Sequence, residues 1–131
     1  MITRETDYAI RAVLCLAGAY REGHILSVSE LSARMDIPYR FLRALSRKLV
    51  AAKIVVSKRG NGGGLALARA PAAISLLQVV RVMDPKSVLL NRCLLEPGAC
   101  ARSGNCSVHG QLVGMQRKLD TMLDSLHFDQ M

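Results

Sequence analysis

Cys93, Cys100 and Cys106 stand within fourteen residues of one another, and His109 follows three positions after the last of them. The order is Cys-x6-Cys-x5-Cys-x2-His. The same stretch holds Pro97, Gly98 and Gly104, which leave it little core to pack into, so packing is a poor explanation for three thiols. Thiolates, with or without an imidazole, can hold zinc or an iron–sulfur cluster, or can act as metal-free redox groups. Structural zinc sites usually carry a tighter Cys-x2–4-Cys hairpin, which this chain lacks. The wider spacing favours a cluster and leaves zinc and metal-free redox thiols open. The remaining cysteine, Cys15, falls inside a helical pattern and reads as a small core residue. No Cys-x-x-Cys pair is available for dithiol exchange, which counts against a small redox enzyme or cluster-transfer protein.

A second constellation is cationic. Between Arg40 and Arg59 there are seven basic residues and no acidic one. At 100° per residue, Arg40, Arg43 and Arg47 fall within an arc of about 60°, with Lys48 at its border, and Leu42, Leu45 and Leu49 occupy the opposite arc. An apolar back and a cationic front are what a helix needs to sit in the major groove, its leucines anchored and its arginines reaching phosphates and guanine edges. The run Lys58-Arg59-Gly60-Asn61-Gly62-Gly63-Gly64 lacks the Gly-Lys-Ser/Thr of a phosphate-binding loop and joins two strand-like segments. It reads as a wing tip that brings the backbone close to DNA and carries Arg59 toward a minor groove. Ser29, Tyr39, Lys58 and Asn61 complete the expected DNA-facing set.

The elements that must position these groups follow from periodicity. Ile10, Val13, Leu14 and Ala17 predict a first helix over Thr3 to Tyr20, broken by Gly23 and His24. Ser27 or Ser29 offers an N-cap for a short helix through Met35, and Asp36-Ile37-Pro38 makes a turn before a third helix from about Pro38 to Ala52. Ile54–Ser57 and Leu65–Ala68 read as two strands of a hairpin. A helix from Ser75 to Met83 ends at Asp84-Pro85; residues 86–107 have no periodicity; a last helix spans Val108 to Leu126. In that helix Val108, Leu112, Met115, Leu119, Met122 and Leu126 repeat every 3.5 residues, the seam of paired helices, which predicts self-association.

Composition agrees. Half the residues are apolar but only 4% are aromatic, so the core must be built from small and aliphatic side chains, which suits helices. Of a net charge of +8, residues 1–70 carry +7, from 12 basic and 5 acidic residues. That imbalance points to a polyanion-binding half joined to a nearly neutral one. There is no leader-like segment and no apolar run near the ~20 residues a membrane span needs, so a soluble, cytoplasmic protein is expected.

Several of these pieces together resemble the IscR/NsrR/RirA family of winged-helix iron–sulfur regulators, the Rrf-type family, over nearly the whole chain. They are Thr6-Asp7-Tyr8-Ala9, Val28-Ser29-Glu30-Leu31 with Ile37-Pro38 and Leu42, the wing Arg59 to Gly64, and the three-cysteine loop before a long helix. The resemblance implies a homodimer that binds a palindromic operator in double-stranded DNA and senses cluster supply, iron, oxidants or nitric oxide. It also divides on the fourth ligand. His109 matches the Cys-x2-His ending of IscR-like members, and Asp7 matches the acidic residue that NsrR-like members supply from the other subunit. As a hard, exchangeable ligand suited to a sensor, Asp7 is the favoured one of the two.

The expectation is a mainly α protein: a winged helix-turn-helix domain over residues 1–84, with a β-hairpin wing. A cysteine-rich cluster-binding loop follows over 85–107, then a C-terminal dimerisation helix and tail over 108–131. Its cofactor would be an iron–sulfur cluster of two or four irons on Cys93, Cys100, Cys106 and either Asp7 or His109. It would be a DNA-binding regulator, with no enzymatic activity, no small-molecule substrate and no membrane partner. A zinc-bound or cluster-free thiol regulator of the same fold is the alternative.

Overall fold

The computed structural model describes all of residues 1–131. The elements run α1 (Arg4–Glu22), α2 (Val28–Met35), α3 (Tyr39–Ala51), β1 (Val55–Lys58), β2 (Gly64–Leu67), α4 (Leu76–Met83) and α5 (His109–Ser125), with 3-10 turns at Pro71–Ala73 and Arg92–Leu94. Each helix and strand expected from periodicity is present, its ends within about two residues of expectation. The caps explain the boundaries. Thr3 accepts from the Thr6 N–H at 3.2 Å to start α1, and Gly23, with φ 73°, ends it in the left-handed conformation. Ser27, rather than Ser29, caps α2, accepting from the Glu30 N–H at 3.1 Å. Ser75 and Gln78 form a reciprocal capping box at the start of α4.

β1 and β2 pair antiparallel from Val55 opposite Leu67 to Lys58 opposite Gly64. Leu26, just before α2, joins the hairpin by exchanging backbone hydrogen bonds with Leu65 at 2.7 and 3.1 Å. Gly64 makes this possible. Its φ is 150°, and a Cβ there would lie 2.1 Å from the Leu26 carbonyl oxygen, so no other residue fits without moving the wing.

The core is aliphatic, as the composition requires. Ala9, Val13 and Leu16 of α1 meet Leu31 and Ile37, Leu42 and Leu49 of α3, Val55, Leu67 and Val79. Phe128 is its one fully buried aromatic residue. The chain after α5 therefore turns back: the Phe128 N–H bonds to the Ile74 carbonyl, the Leu76 N–H to the Leu126 carbonyl, and Ser75 Oγ donates to Asp124 Oδ1 at 2.7 Å. Residues that the sequence division assigns to the last helix and tail thus finish the core of the first 84. No helix is long and apolar enough to cross a membrane.

Candidate nucleic-acid interface and thiol site

The geometry of α3 separates its two faces as its periodicity requires. Leu42, Leu45 and Leu49 are buried, while Arg40, Arg43, Arg47 and Lys48 are exposed. Ser29, Tyr39, Lys58, Arg59 and Asn61 are exposed as well, so the whole expected DNA-facing set reaches solvent. The structure brings part of it together: Arg43 and Arg47 of α3 and Arg59 of the wing line one open cleft of about 510 Å³, with Ser57 and Val50 between them and no acidic residue among the lining groups. Three arginines lining one cleft without a counter-charge have the chemistry that suits phosphates and base edges.

Arg40 stands apart from that cleft. Its guanidinium carbon lies 5.0 Å from the centroid of the Phe41 ring, which packs on Tyr8 at 5.8 Å, and Arg11 lies over Tyr8 at 5.5 Å. Arg11 in turn pairs with Asp7 at 2.6 Å. This stack joins the start of α3 to the first turns of α1. Periodicity could not show it, because Tyr8 and Phe41 meet only through the fold.

The three cysteines are free thiols in the irregular chain between α4 and α5, Cys93 and Cys100 half-buried and Cys106 exposed. All three, together with His109 at the first position of α5, line a single cavity of about 520 Å³. His109 Nδ1 is the one buried side-chain nitrogen or oxygen of the chain without a hydrogen-bond partner. An orphaned imidazole nitrogen beside three thiols is a soft donor set that suits zinc or iron–sulfur chemistry. No three His, Cys, Asp or Glu side chains converge as the ligands of one metal ion.

Asp7 does not line this cavity within the chain. It lies in the first turns of α1, half-buried and held by Arg11. Cys15 packs against the core, and burial pushes its thiol up from the ordinary value while Arg34 pulls it back, which is the behaviour of an inert cysteine. The expected seam of α5 is an open apolar stripe: Val108, Met115, Met122 and Leu126 are exposed, and Leu112 and Leu119 half-buried. One functional-site neighbour left no signal in the sequence. Gln116, the single buried residue of α5, lies outside the apolar repeat that periodicity singles out in this helix.

The family described as "Rrf2: Iron-dependent Transcriptional regulator" matches residues 2–131. An rrf2-like HTH-type transcriptional regulator of Rhodobacter capsulatus is 31% identical over 137 aligned positions that take in 100% of this chain and 91% of that protein. The HTH-type transcriptional regulator IscR of Aliivibrio salmonicida is 28% identical over 130 positions, 99% of this chain and 76% of that protein. Among solved structures, CymR, the global cysteine regulator of B. subtilis, aligns with a TM-score of 0.78 at 20% identity, covering 98% of this chain and 93% of that one, a likeness of fold.

Proposed function

The chain belongs to the Rrf2 family of transcriptional regulators, and from that premise we propose that it binds a palindromic operator as a homodimer, with an affinity set by an iron–sulfur cluster on Cys93, Cys100, Cys106 and His109. It is a regulator rather than an enzyme, and as such acts in the cytoplasm, where DNA is accessible. The observation that carries the cluster reading is the shared cavity: three thiols and an imidazole with an unpartnered buried Nδ1. His109 is preferred to Asp7 on this ground, since Asp7 would have to leave Arg11 and reach the site from a second copy.

When bound, the cluster supplies a centre sensitive to oxidants, nitric oxide and iron supply. The chain's own residues do the rest. Leu42, Leu45 and Leu49 fix α3 to the core, so that Arg43 and Arg47 are presented with Arg59 as one cationic edge. α4 packs against both α3 and α5. The cysteine chain leaves α4 at Asp84, where the Ser87 N–H and Oγ both donate to the Asp84 carbonyl, and enters α5 at His109. Cys93, Cys100, Cys106 and His109 drawn to one group would constrain that connection, and a few kcal/mol of coupling to α3 is the scale on which such sites act. The open stripe on α5 would pair two copies, giving two α3 helices on one face and an inverted repeat as operator.

A second reading is favoured by one observation, the lack of a converged single-ion shell: the thiols act without metal, through oxidation. One experiment separates the two. Binding sites are selected from random duplex DNA with protein purified anaerobically, and affinities are then measured before and after iron removal by chelation. An inverted repeat bound with different affinity by the two forms is expected. Equal affinities, with a change only on thiol oxidation, would replace the cluster reading with the thiol one.

A further inference from the structure

Of the seventeen residues of α5, the one that is buried is a glutamine. Gln116 is 8% exposed, and each polar group of its side chain is engaged. Its Oε1 accepts from the Leu90 N–H at 2.9 Å, and its Nε2 donates to the Val88 carbonyl at 3.0 Å and to Asp120 Oδ1 at 2.9 Å. Val88 and Leu90 belong to the irregular chain, where no helix or strand serves their backbone groups. A leucine at this position would bury more apolar surface and need no partners. What the amide adds is a fixed register between two pieces of chain.

The pieces it joins are those that carry the candidate ligands. Leu90 precedes Cys93 by three residues, a reach of at most about 10 Å. His109 precedes Gln116 by seven residues, two turns of the same helix face and a rise of about 10 Å. Gln116, His109 and Cys93 line one cavity of about 450 Å³. Beyond Gln116 the chain of contacts continues: Asp120 Oδ2 accepts from Arg81 Nη2 at 3.0 Å, and Arg81 lies on α4.

We propose that Gln116 is a positioning residue of the thiol–imidazole site: it fixes the segment bearing Cys93 against the helix bearing His109, and through Asp120 and Arg81 ties both to α4 and the DNA-reading core. This rests on the reading of Cys93 and His109 as ligands of one group.

The test uses the full-length wild type, Gln116→Leu and Asp120→Ala. Gln116→Leu keeps a buried side chain of similar size and removes all three hydrogen bonds; Asp120→Ala lies nearer the surface and keeps the test readable if the first variant does not fold. In metal-free protein, iodoacetamide labelling of each cysteine is followed by peptide mass spectrometry. Labelling of Cys93 should quicken severalfold in both variants, while Cys106, already exposed, keeps its rate. In protein reconstituted anaerobically with ferrous iron and sulfide, the visible absorption should shift, and iron should be held about 10–100-fold less tightly by Gln116→Leu. Variants that match the wild type in both measurements would overturn the proposal. A wild type that takes up no iron and sulfide would overturn the cluster reading instead, and faster Cys93 labelling would still establish Gln116 as the clamp of that segment.

Discussion

Phe128 and Ile74 are joined by a backbone hydrogen bond of 3.1 Å from the Phe128 N–H to the Ile74 carbonyl, and both side chains are fully buried. Ile74 introduces α4, and Phe128 follows α5, so this contact returns the end of the chain to the core under α1 and α3. Phe128→Ala would leave a cavity there that small aliphatic neighbours cannot refill. A cost of roughly 3–5 kcal/mol is expected, read as a lower denaturation midpoint with an unchanged slope. A loss below about 1 kcal/mol would show that the tail is not part of the core.

DNA recognition should divide among the arginines. Arg43→Ala, Arg47→Ala and Arg59→Ala remove groups that converge on one cleft. An arginine that reads a base should cost roughly 1–3 kcal/mol and relax specificity at one position. One that contacts phosphate should weaken all sequences alike and lower the salt slope by about 1. Titrations over a range of salt concentrations distinguish the two, and binding that tolerates all three substitutions would contradict the assignment of this face.

Self-association should depend on the outer stripe of α5. Met122 is 66% exposed in the single chain, so Met122→Asp adds no buried charge to the fold. Sedimentation should show monomer for this variant and dimer for the wild type at micromolar concentration, with unchanged helical content. A variant that stays dimeric would place the interface elsewhere.

The fourth ligand can be tested separately. His109→Ala should perturb the visible spectrum of reconstituted protein more than Asp7→Ala, because His109 shares the cavity with the cysteines and Asp7 is held by Arg11. The opposite order would assign the position to Asp7 of a second copy.

The helices, the wing and the two-faced character of α3 were legible in the sequence, because each rests on local rules. Thr3, Ser27 and Ser75 cap helices with their own side chains, and the arc of Leu42, Leu45 and Leu49 follows from helix geometry alone. The glycine wing was legible as a turn, although its contact with Leu26 was not. The grouping of the three cysteines with His109 was legible from their spacing, but residues 86–107 had no periodic signal, so neither their path nor their hydrogen bonds to Gln116 could be read. A lone glutamine in a helix looks like any solvated residue until the backbone of Val88 and Leu90 is placed against it. The stack from Arg40 through Phe41 and Tyr8 to Arg11 is illegible for the same reason: its members lie on two helices about thirty positions apart.

Whether Cys93, Cys100 and Cys106 hold an iron–sulfur cluster is decided by the iron and acid-labile sulfide content of anaerobically purified protein. The wild type and Cys15→Ala should be brown and contain iron and sulfide in comparable amounts, while Cys93→Ala, Cys100→Ala and Cys106→Ala should each lose both. Colourless wild-type protein that contains zinc, or no metal at all after anaerobic reconstitution with iron and sulfide, would contradict the cluster reading.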